Sequence, residues 1–330
     1  MWDVAVRFVQ RRWFLIVLGS FLAAGFRFPH ELTPLVESLP RRALVAVVLF
    51  LMAWPIDASV IWRVIRRPTA LALTLAIAYG LLPLVAWAIS RGLRPDLAVG
   101  LLIAAAIPST MASAAVWTRR AGGNDAVALL GTLTTNLLCF VVTPLWLART
   151  TGAQVSIDVT EMMAELGVVM VLPMILAQVT RLWEPMRIWA TAAKTPLGVL
   201  AQCGILTMVL VGAVRAGAEL SVEPGAMDLA STAAMLAAVT AVHLSMLWTG
   251  HALGWLIGLP RGDRIAVGFS GSQKTLMIGL EVALRYFPAM PLAALPMIAY
   301  HVLQLLLDTL IADWLRLRAP RESAERARVE

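Results

Sequence analysis

The chain has 330 residues, of which 60% are hydrophobic and 14% are charged, and its mean hydropathy is +0.80. Soluble globular proteins carry about 25% charged residues, so the composition excludes a water-soluble fold and predicts an integral membrane protein surrounded by the lipid bilayer. The net charge of +7 does not indicate a nucleic-acid partner, because the basic residues lie mainly in loops between apolar segments.

Ten apolar segments approach the length of about 20 residues that a transmembrane helix needs. They lie at residues 13–28, 43–62, 69–90, 96–118, 124–148, 162–180, 193–214, 227–258, 263–285 and 291–315. The sequence therefore predicts an all-α integral membrane fold with ten transmembrane helices. These helices form one domain, residues 1–315, and a polar tail follows at residues 316–330.

Basic residues are distributed unequally between the two sets of loops. If the N-terminus lies in the cytoplasm, 18 of the 27 Lys and Arg residues lie on the cytoplasmic side and 8 lie on the other. The positive-inside rule then predicts a multi-pass protein of the cell (plasma) membrane with both termini in the cytoplasm. The remaining basic residue, Lys274, lies inside a predicted span.

A short sequence pattern occurs twice, half a chain apart. Residues 94–100 (RPDLAVG) and 261–268 (RGDRIAVG) share Arg, Asp, Ala, Val and Gly in the same order, with an offset of 168 positions between Val99 and Val267. The pattern predicts two repeats, at about residues 1–155 and 156–315. Each repeat holds five spans, an odd number, so the second repeat is predicted to be inverted in the membrane.

Both repeated segments continue into a polar stretch that weakens a helix, in the fourth span of each repeat. The first stretch is Pro108, Ser109 and Thr110, and the second is Ser270, Gly271, Ser272, Gln273, Lys274 and Thr275. Broken helices in matching positions of two halves are the best sequence indication of a transporter's binding site, since unwound backbone in a bilayer needs partners. We therefore expect spans four and nine to meet at a site for substrate or ion.

Lys274 is the most unusual of these candidates. A charged side chain in the middle of a span costs about 3 kcal/mol on insertion scales and is a functional candidate by default. Lys274, Glu281 and Asp308 are therefore candidates for a proton relay, with structural ion pairs or bonds to unwound carbonyls as the alternative. His243 and His301 lie inside spans and belong to a residue type that titrates near neutral pH. Their spacing indicates no metal site.

Several further short motifs are spread along almost the whole chain. They include Pro108-Ser-Thr-Met-Ala-Ser113, Thr143-Pro144, Gly262-Asp-Arg-Ile-Ala-Val267, Gly271-Ser-Gln-Lys-Thr-Leu276, His301 and Gln304. With these motifs the chain resembles the bile acid:sodium symporter superfamily, in particular the symporter-like branch similar to the seventh member of the human bile-acid carrier family. The run from Gly271 to Leu276 is the most specific of them.

The resemblance implies a ten-helix fold with a core domain of spans 3–5 and 8–10 and a panel domain of spans 1–2 and 6–7. It also implies that the broken spans cross in the core, that the substrate lies between core and panel, and that uptake of organic anions is coupled to sodium. His301 and Gln304 join the candidate binding residues on this ground.

The sodium ligands that the resemblance implies are incomplete. Ser113 matches a ligand in span four, and Thr132 lies where a ligand is expected in span five. Ala78, Ala114 and Phe269 stand where the family has two amides and the shared acidic ligand. This departure argues against sodium coupling by the family's route and leaves a proton or a built-in positive charge as alternatives. No other cofactor is expected.

The sequence thus predicts a secondary transporter of a small organic anion that works by alternating access. The alternative is a non-transporting membrane regulator of ion handling with the same fold, which the missing sodium ligands favour. An intramembrane enzyme is not expected, because the sequence contains no nucleophile, metalloprotease or paired-aspartate motif. Substrate, coupling ion, direction and oligomeric state are left open.

Overall fold

The computed structural model describes residues 2–57, 68–111, 113–151, 158–223, 225 and 227–318. Within these ranges the chain is helical, with short turns and no strand. The helices are α1 (Trp2–Arg27), α2 (Pro29–Glu37), α3 (Arg41–Ala53), α4 (Pro68–Ser90), α5 (Pro95–Ala106), α6 (Ala114–Arg120), α7 (Asp125–Thr151), α8 (Val159–Thr180), α9 (Glu184–Ala192), α10 (Lys194–Val222), α11 (Leu229–Leu256), α12 (Arg261–Ser272), α13 (Leu276–Tyr286) and α14 (Ala294–Leu317).

Six of these helices are long and apolar enough to cross a bilayer: α4, α7, α8, α10, α11, and α14 together with its preceding 3₁₀ turn. A seventh span results if α1 and α2, which meet at an angle of 109°, are taken together. This all-helical, apolar structure agrees with the predicted integral membrane protein. The predicted second span extends to residues that lie outside the described ranges, and α3 covers its first part.

The remaining predicted spans are the two broken ones. The fourth is divided into α5 and α6, with residues 107–113 between them, and the ninth into α12 and α13, with residues 273–275 between them. Residues 97–106 of α5 and 276–284 of α13 are buried on every side. A helix that is apolar all round is one that lies inside a larger structure, so both broken segments lie within the bundle.

Close packing of α5 requires a glycine. A Cβ atom at Gly100 would lie 2.3 Å from the carbonyl oxygen of Ala293 and 2.9 Å from the ring of Pro296. Real Cβ atoms do not approach other atoms so closely, so a side chain at this position would force α5 away from α14. The shared glycine of the sequence pattern therefore has a packing role in its first copy.

The contacts divide the helices into two groups. In the panel group, α10 packs on α1, α2 and α3, and α3 packs on α8. The core group comprises α4–α7 and α11–α14, in which α12 packs on α7 and α11, and α14 packs on α5 and α11. The groups touch where α8 meets α7 and where α10 meets α13 and α14.

Helix α4 contains a π-helical segment, Ala76–Leu81, just before Pro83. Proline has no N–H to donate to the preceding turn, and π segments in α-helices often mark functional positions. The carbonyls of Ala78 and Tyr79, one turn earlier, instead accept from Lys274 and Trp146. Pro83 thus leaves the carbonyls of Ala78 and Tyr79 available to side chains beside the broken helices.

Candidate functional site

The two breaks lie against each other. The backbone N–H of Thr275 donates to the carbonyl of Pro108 over 3.0 Å, and the Ser109 hydroxyl donates to the carbonyl of Ser270. The Ser113 hydroxyl donates to Oε1 of Gln273 over 2.8 Å. The structure therefore brings most of the predicted site residues into one buried region where α5, α6, α12 and α13 end or begin.

The second break is shorter than the polar stretch suggests. Ser270, Gly271 and Ser272 belong to the last turn of α12, and only Gln273, Lys274 and Thr275 leave the helix. The Ser270 hydroxyl donates to the carbonyl of Ala266 inside its own helix, which shows how a serine-rich turn remains helical.

Helix α7 satisfies the backbone of the first break. The Asn136 amide donates to the carbonyl of Ser109 over 2.8 Å, and the Thr135 hydroxyl accepts from the backbone N–H of Ser109 over 3.2 Å. Thr143 donates to the carbonyl of Ala106, the last residue of α5. The sequence motifs include Thr143 but not Asn136 and Thr135, although polar residues in an apolar span are a signal that such partners exist.

Gln304 of α14 satisfies the backbone of the second break. Its Oε1 accepts from the N–H of Lys274 and its Nε2 donates to the carbonyl of Lys274, both over 2.9 Å. Because both backbone groups are fixed in role, the orientation of the amide is fixed as well. Nε2 also lies 3.0 Å from Nδ1 of His301, so this nitrogen accepts, and His301 is neutral with its proton on Nε2.

The ammonium of Lys274 is buried and bonded to backbone. Its side chain is 2% exposed, and Nζ donates to the carbonyls of Ala78 (2.7 Å) and Ile107 (2.9 Å). It also lies 5.4 Å from the ring centroid of Tyr79, within cation–π distance. The ammonium therefore links the π segment of α4 to the first residue of the first break.

Asp308 lies in a second buried network. Its Oδ1 is 2.8 Å from Nε2 of His243, and its Oδ2 accepts from the amide of Gln273. His243 Nδ1 lies 3.4 Å from the carbonyl of Ser272, which also accepts from the Tyr300 hydroxyl. Hydrogen bonds thus join α11, the second break and α14.

The structure does not bring the three relay candidates together. Within the described residues, Lys274 forms no ion pair with Glu281 or Asp308. Glu281 lies on α13 beside Arg285 and Glu165, and its Oε2 has no hydrogen-bond partner among the described residues. Its neighbour Glu165, of the panel group, pairs with Arg285 and accepts from Tyr286 of the core group.

A cavity of about 270 Å³ lies between the panel and core groups. Four polar residues of the core group line it: the predicted site residues Thr110, Ser113 and His301, and the neighbouring Thr309. Helices α1 and α10 of the panel group and Trp117 of α6 also line the cavity. The lining residues not yet named are apolar, with the exception of Gln202 in α10. The cavity thus touches the first break and α14 but not Lys274.

The residues present do not fit a sodium site of the family's design. The Thr132 hydroxyl donates to the carbonyl of Leu129 within α7, and the Ser113 hydroxyl is bonded to Gln273. Ala78 offers only its backbone carbonyl, which already accepts from the ammonium of Lys274. The positive charge of this ammonium repels a second cation. Ala114 and Phe269 supply no side-chain oxygen. Among the described residues no cluster of three His, Cys, Asp or Glu could hold a metal.

Two broken helices that meet inside an apolar bundle, beside a cavity between two helix groups, are features of secondary transporters. Residues 12–317 match the SBF-like CPA transporter family, and the chain belongs to this family. The match confirms the resemblance inferred from the motifs, and the family is one of transporters rather than enzymes.

The relatives are distant. The chain is 23% identical over 222 residues to "Sodium/bile acid cotransporter 7" of Xenopus tropicalis and 24% identical over 222 residues to the protein of the same name of Rattus norvegicus. These alignments cover 66% of the chain and 63% and 64% of the two relatives. "Probable sodium/metabolite cotransporter BASS4, chloroplastic" of Arabidopsis thaliana is 29% identical over 238 residues, which cover 67% of the chain and 53% of the relative. The chain spans less than two thirds of the length of each.

Proposed function

We propose that the protein is a secondary transporter that carries a small organic anion by moving the core group against the panel group. The observation that carries this proposal is the cavity at the boundary of the two groups, lined by the first break on one side and by α1 and α10 on the other. A ligand there touches both groups, and a bound ligand can therefore favour one arrangement of the groups over another.

The size of the cavity favours a compact substrate. Small-molecule sites usually have volumes of about 300–1,000 Å³, and this cavity of about 270 Å³ lies at the lower end. A volume at this lower end favours a compact organic acid such as a monocarboxylate.

The lining favours an anion. The hydroxyl group of Thr110 and the Nε2–H of His301 can donate to a carboxylate, and no acidic side chain is among the described lining residues. Lys274 lies one layer behind the break and does not touch the ligand, and in its protonated form it adds a positive charge beside the site. This charge takes the electrostatic role that a bound sodium ion has in coupled carriers.

We propose that this architecture consists of ten spans in two inverted repeats, with the cavity open toward the cytoplasm. Trp117 of the lining lies close to Arg120, which pairs with Asp313 on the face that the positive-inside rule assigns to the cytoplasm. At the other end, Glu165 connects the panel group to Arg285 and Tyr286 of the core group.

Impermeant maleimide labelling tests the orientation. In a Cys203→Ser background, cysteine at the exposed Ala289 should react in intact cells, whereas cysteine at the exposed Ala192 should react only after permeabilisation. Reaction of both from the outside would overturn the proposed topology.

A thermal-shift screen tests the substrate class. At about 100 times its Kd a ligand stabilises the folded state by about 2.7 kcal/mol. We expect benzoate and similar monocarboxylates to raise the melting temperature of the purified full chain, and the neutral benzamide to have no effect. His301→Ala should abolish the shift, and His251→Ala, a histidine outside the cavity, should retain it.

The alternative, a membrane regulator that does not transport, is favoured only by the sodium positions that the chain lacks. It predicts that no organic acid produces a shift and that benzoate does not cross proteoliposome membranes carrying the protein. Uptake of radiolabelled benzoate into such vesicles, above that of empty vesicles, would exclude it.

A further inference from the structure

His243 is a buried imidazole with one strong and one incomplete hydrogen bond. Nε2 lies 2.8 Å from a carboxylate oxygen of Asp308, so Nε2 carries a proton and donates it. Nδ1 lies 3.4 Å from the carbonyl of Ser272, longer than the 2.7–3.2 Å of ordinary N–H···O bonds. The oxygen atoms that face the two ring nitrogens are both acceptors, so a second proton, on Nδ1, would have a hydrogen-bond partner.

The contrast with His301 makes the chemistry specific. His301 faces the amide Nε2 of Gln304, a donor, and an added proton on its Nδ1 would meet a second N–H. His243 faces acceptors through both nitrogens. Of the two histidines near the break, only His243 has surroundings that stabilise an imidazolium ion.

We propose that His243, paired with Asp308, binds the proton that accompanies the anion through the transporter, one proton for each monoanion. This inference rests on the proposed function, because it assumes that an organic anion enters the cavity. The proton adds to Nδ1 of His243 and forms a new N–H···O bond to the carbonyl of Ser272, and the Nε2–H bond to Asp308 is kept.

The buried charges near the second break explain why one proton accompanies each monoanion. With Lys274 protonated, Asp308 ionised and His243 neutral, the charges of these three buried residues sum to zero. An anion entering alone would leave a net negative charge in a low-dielectric interior, which is strongly unfavourable. One proton on His243 restores neutrality, so a monoanion and a proton cross together without net charge.

The proton site is connected to the cavity. Asp308 accepts from Gln273, and Gln273 accepts from Ser113, which lines the cavity. Ser272 ends α12, so a bond from Nδ1 to its carbonyl acts directly on the second break. Binding in the cavity and protonation of His243 therefore act on one hydrogen-bonded chain.

Among the described residues, Asp308 is the one charged side chain that is hydrogen-bonded to His243. From α14 it faces Asp308 and the ring of Tyr300, at 5.8 Å between ring centroids. From α12 it faces the carbonyl of Ser272, the last residue of that helix. The charged residues of α12, Arg261, Asp263 and Arg264, lie in its first turn at the opposite end. Tyr79 of α4 donates to the backbone of α7.

Nitrogen NMR of the histidine rings tests the site without any substrate. The full chain, labelled in its four histidines and held in lipid nanodiscs, is titrated between about pH 5 and 8, the range in which histidine side chains change charge. We expect the His243 signals, assigned with H243Q, to show Nε2 protonated throughout and Nδ1 protonated only at the acidic end. In D308N, which removes the carboxylate, protonation of Nδ1 should be lost over the whole range.

A structural role predicts something else. If His243 keeps one protonation state from the acidic to the alkaline limit, or if D308N titrates like the wild type, the proposal is wrong. Tyr300→Phe, which removes the other donor to the carbonyl of Ser272, is the matched control and should leave the titration in place. Gel filtration of each variant checks that the protein is folded.

Calorimetry with benzoate tests the stoichiometry. Binding heats in two buffers of different ionisation enthalpy should give one proton taken up for each benzoate bound by the wild type, and none for H243Q. Proton uptake by H243Q equal to the wild type would contradict the assignment. Failure of benzoate to bind counts against the proposed substrate class alone, because the NMR titration decides the proton site by itself.

Discussion

The two breaks solve one physical problem in opposite ways. The first break, residues 107–113, carries no charged side chain. It receives hydrogen bonds from Asn136 and Lys274, and its Ser109 N–H donates to the Thr135 hydroxyl. The second break, residues 273–275, is shorter and sends its own side chains outward, Lys274 to two carbonyls and Gln273 to Asp308. Unwound backbone in an apolar interior must be paired, and here one break supplies much of what the other needs.

This difference separates two roles. The first break contributes Thr110 and Ser113 to the cavity, so its exposed side faces the substrate. The second break is buried and holds the charges, and Gln304 clamps its backbone on both sides. Changes in the second break should therefore destabilise the protein more than changes in the first.

Removal of the ammonium should have the largest effect. Lys274→Ala leaves the carbonyls of Ala78 and Ile107 without a partner and Asp308 without a balancing charge. We expect loss of benzoate uptake and a clearly lower melting temperature in protein that still reaches the membrane. Lys274→Arg should also fail, because a broad guanidinium fork does not replace a compact ammonium between two carbonyls.

Uptake into proteoliposomes and unfolding of the purified variants measure the two effects. The exposed Lys194→Ala is the matched control, as the only other lysine of the chain. Uptake by Lys274→Ala at the wild-type rate would mean that the ammonium only braces the fold, and the site would then be confined to the first break and α14.

The side-chain amides of Gln304 and Asn136 bond to the backbone of the second and the first break, and their removal should have unequal effects. Gln304→Leu leaves the N–H and the carbonyl of Lys274 and Nδ1 of His301 unpaired, whereas Asn136→Leu leaves the carbonyl of Ser109. Since each buried unsatisfied group costs about 1–3 kcal/mol, we expect Gln304→Leu to destabilise at least twice as much as Asn136→Leu. Thermal unfolding in one detergent measures both, with Thr191→Ala on the exposed α9 as the control.

Equal destabilisation by the two variants would contradict this difference. The Asn136 amide also donates to the carbonyl of Thr132, but that carbonyl accepts from Thr135 as well, so its loss adds little. A larger effect at Asn136 would show that the first break, and not the second, limits the stability of the crossing region.

Much of this arrangement is predictable from sequence, for definite reasons. Proline at position 108 and the polar run that ends at Thr275 mark the breaks, because both disfavour helix in an apolar segment. The partners of the breaks are less visible. Asn136 and Thr135 lie in α7, and nothing local to them indicates that they bond to the carbonyl and the N–H of Ser109.

The role of Lys274 shows the same limit. Its position in a span identifies it as unusual, and Glu281, two turns further on, is the natural partner by helix periodicity. The structure instead directs the ammonium to the carbonyl that precedes Pro83 by about one turn. Proline at 83 and lysine at 274 are complementary, but 191 positions separate them, and only the folded chain shows that they meet.

Exchange of sodium for choline should have the smallest effect, namely none. Lys274 holds the carbonyls of Ala78 and Ile107, and the hydroxyls of Thr132 and Ser113 are engaged in the fold. Because an ion stabilises the protein only if it binds the folded state, we expect the benzoate-induced rise in melting temperature to be equal in sodium and choline chloride at one ionic strength. A rise confined to sodium would show that backbone carbonyls alone form a sodium site.

Lys274→Ala sharpens this test, because it frees two carbonyls and removes the charge that repels a cation. If the ammonium stands in for sodium, this variant should become more stable in sodium than in choline chloride, while the wild type does not respond. Thermal unfolding of both proteins in the two salts gives the comparison, and Lys194→Ala should behave like the wild type. An insensitive Lys274→Ala would mean that the ammonium fills no cation position, and that the positive charge at the crossing serves the anion and Asp308 alone.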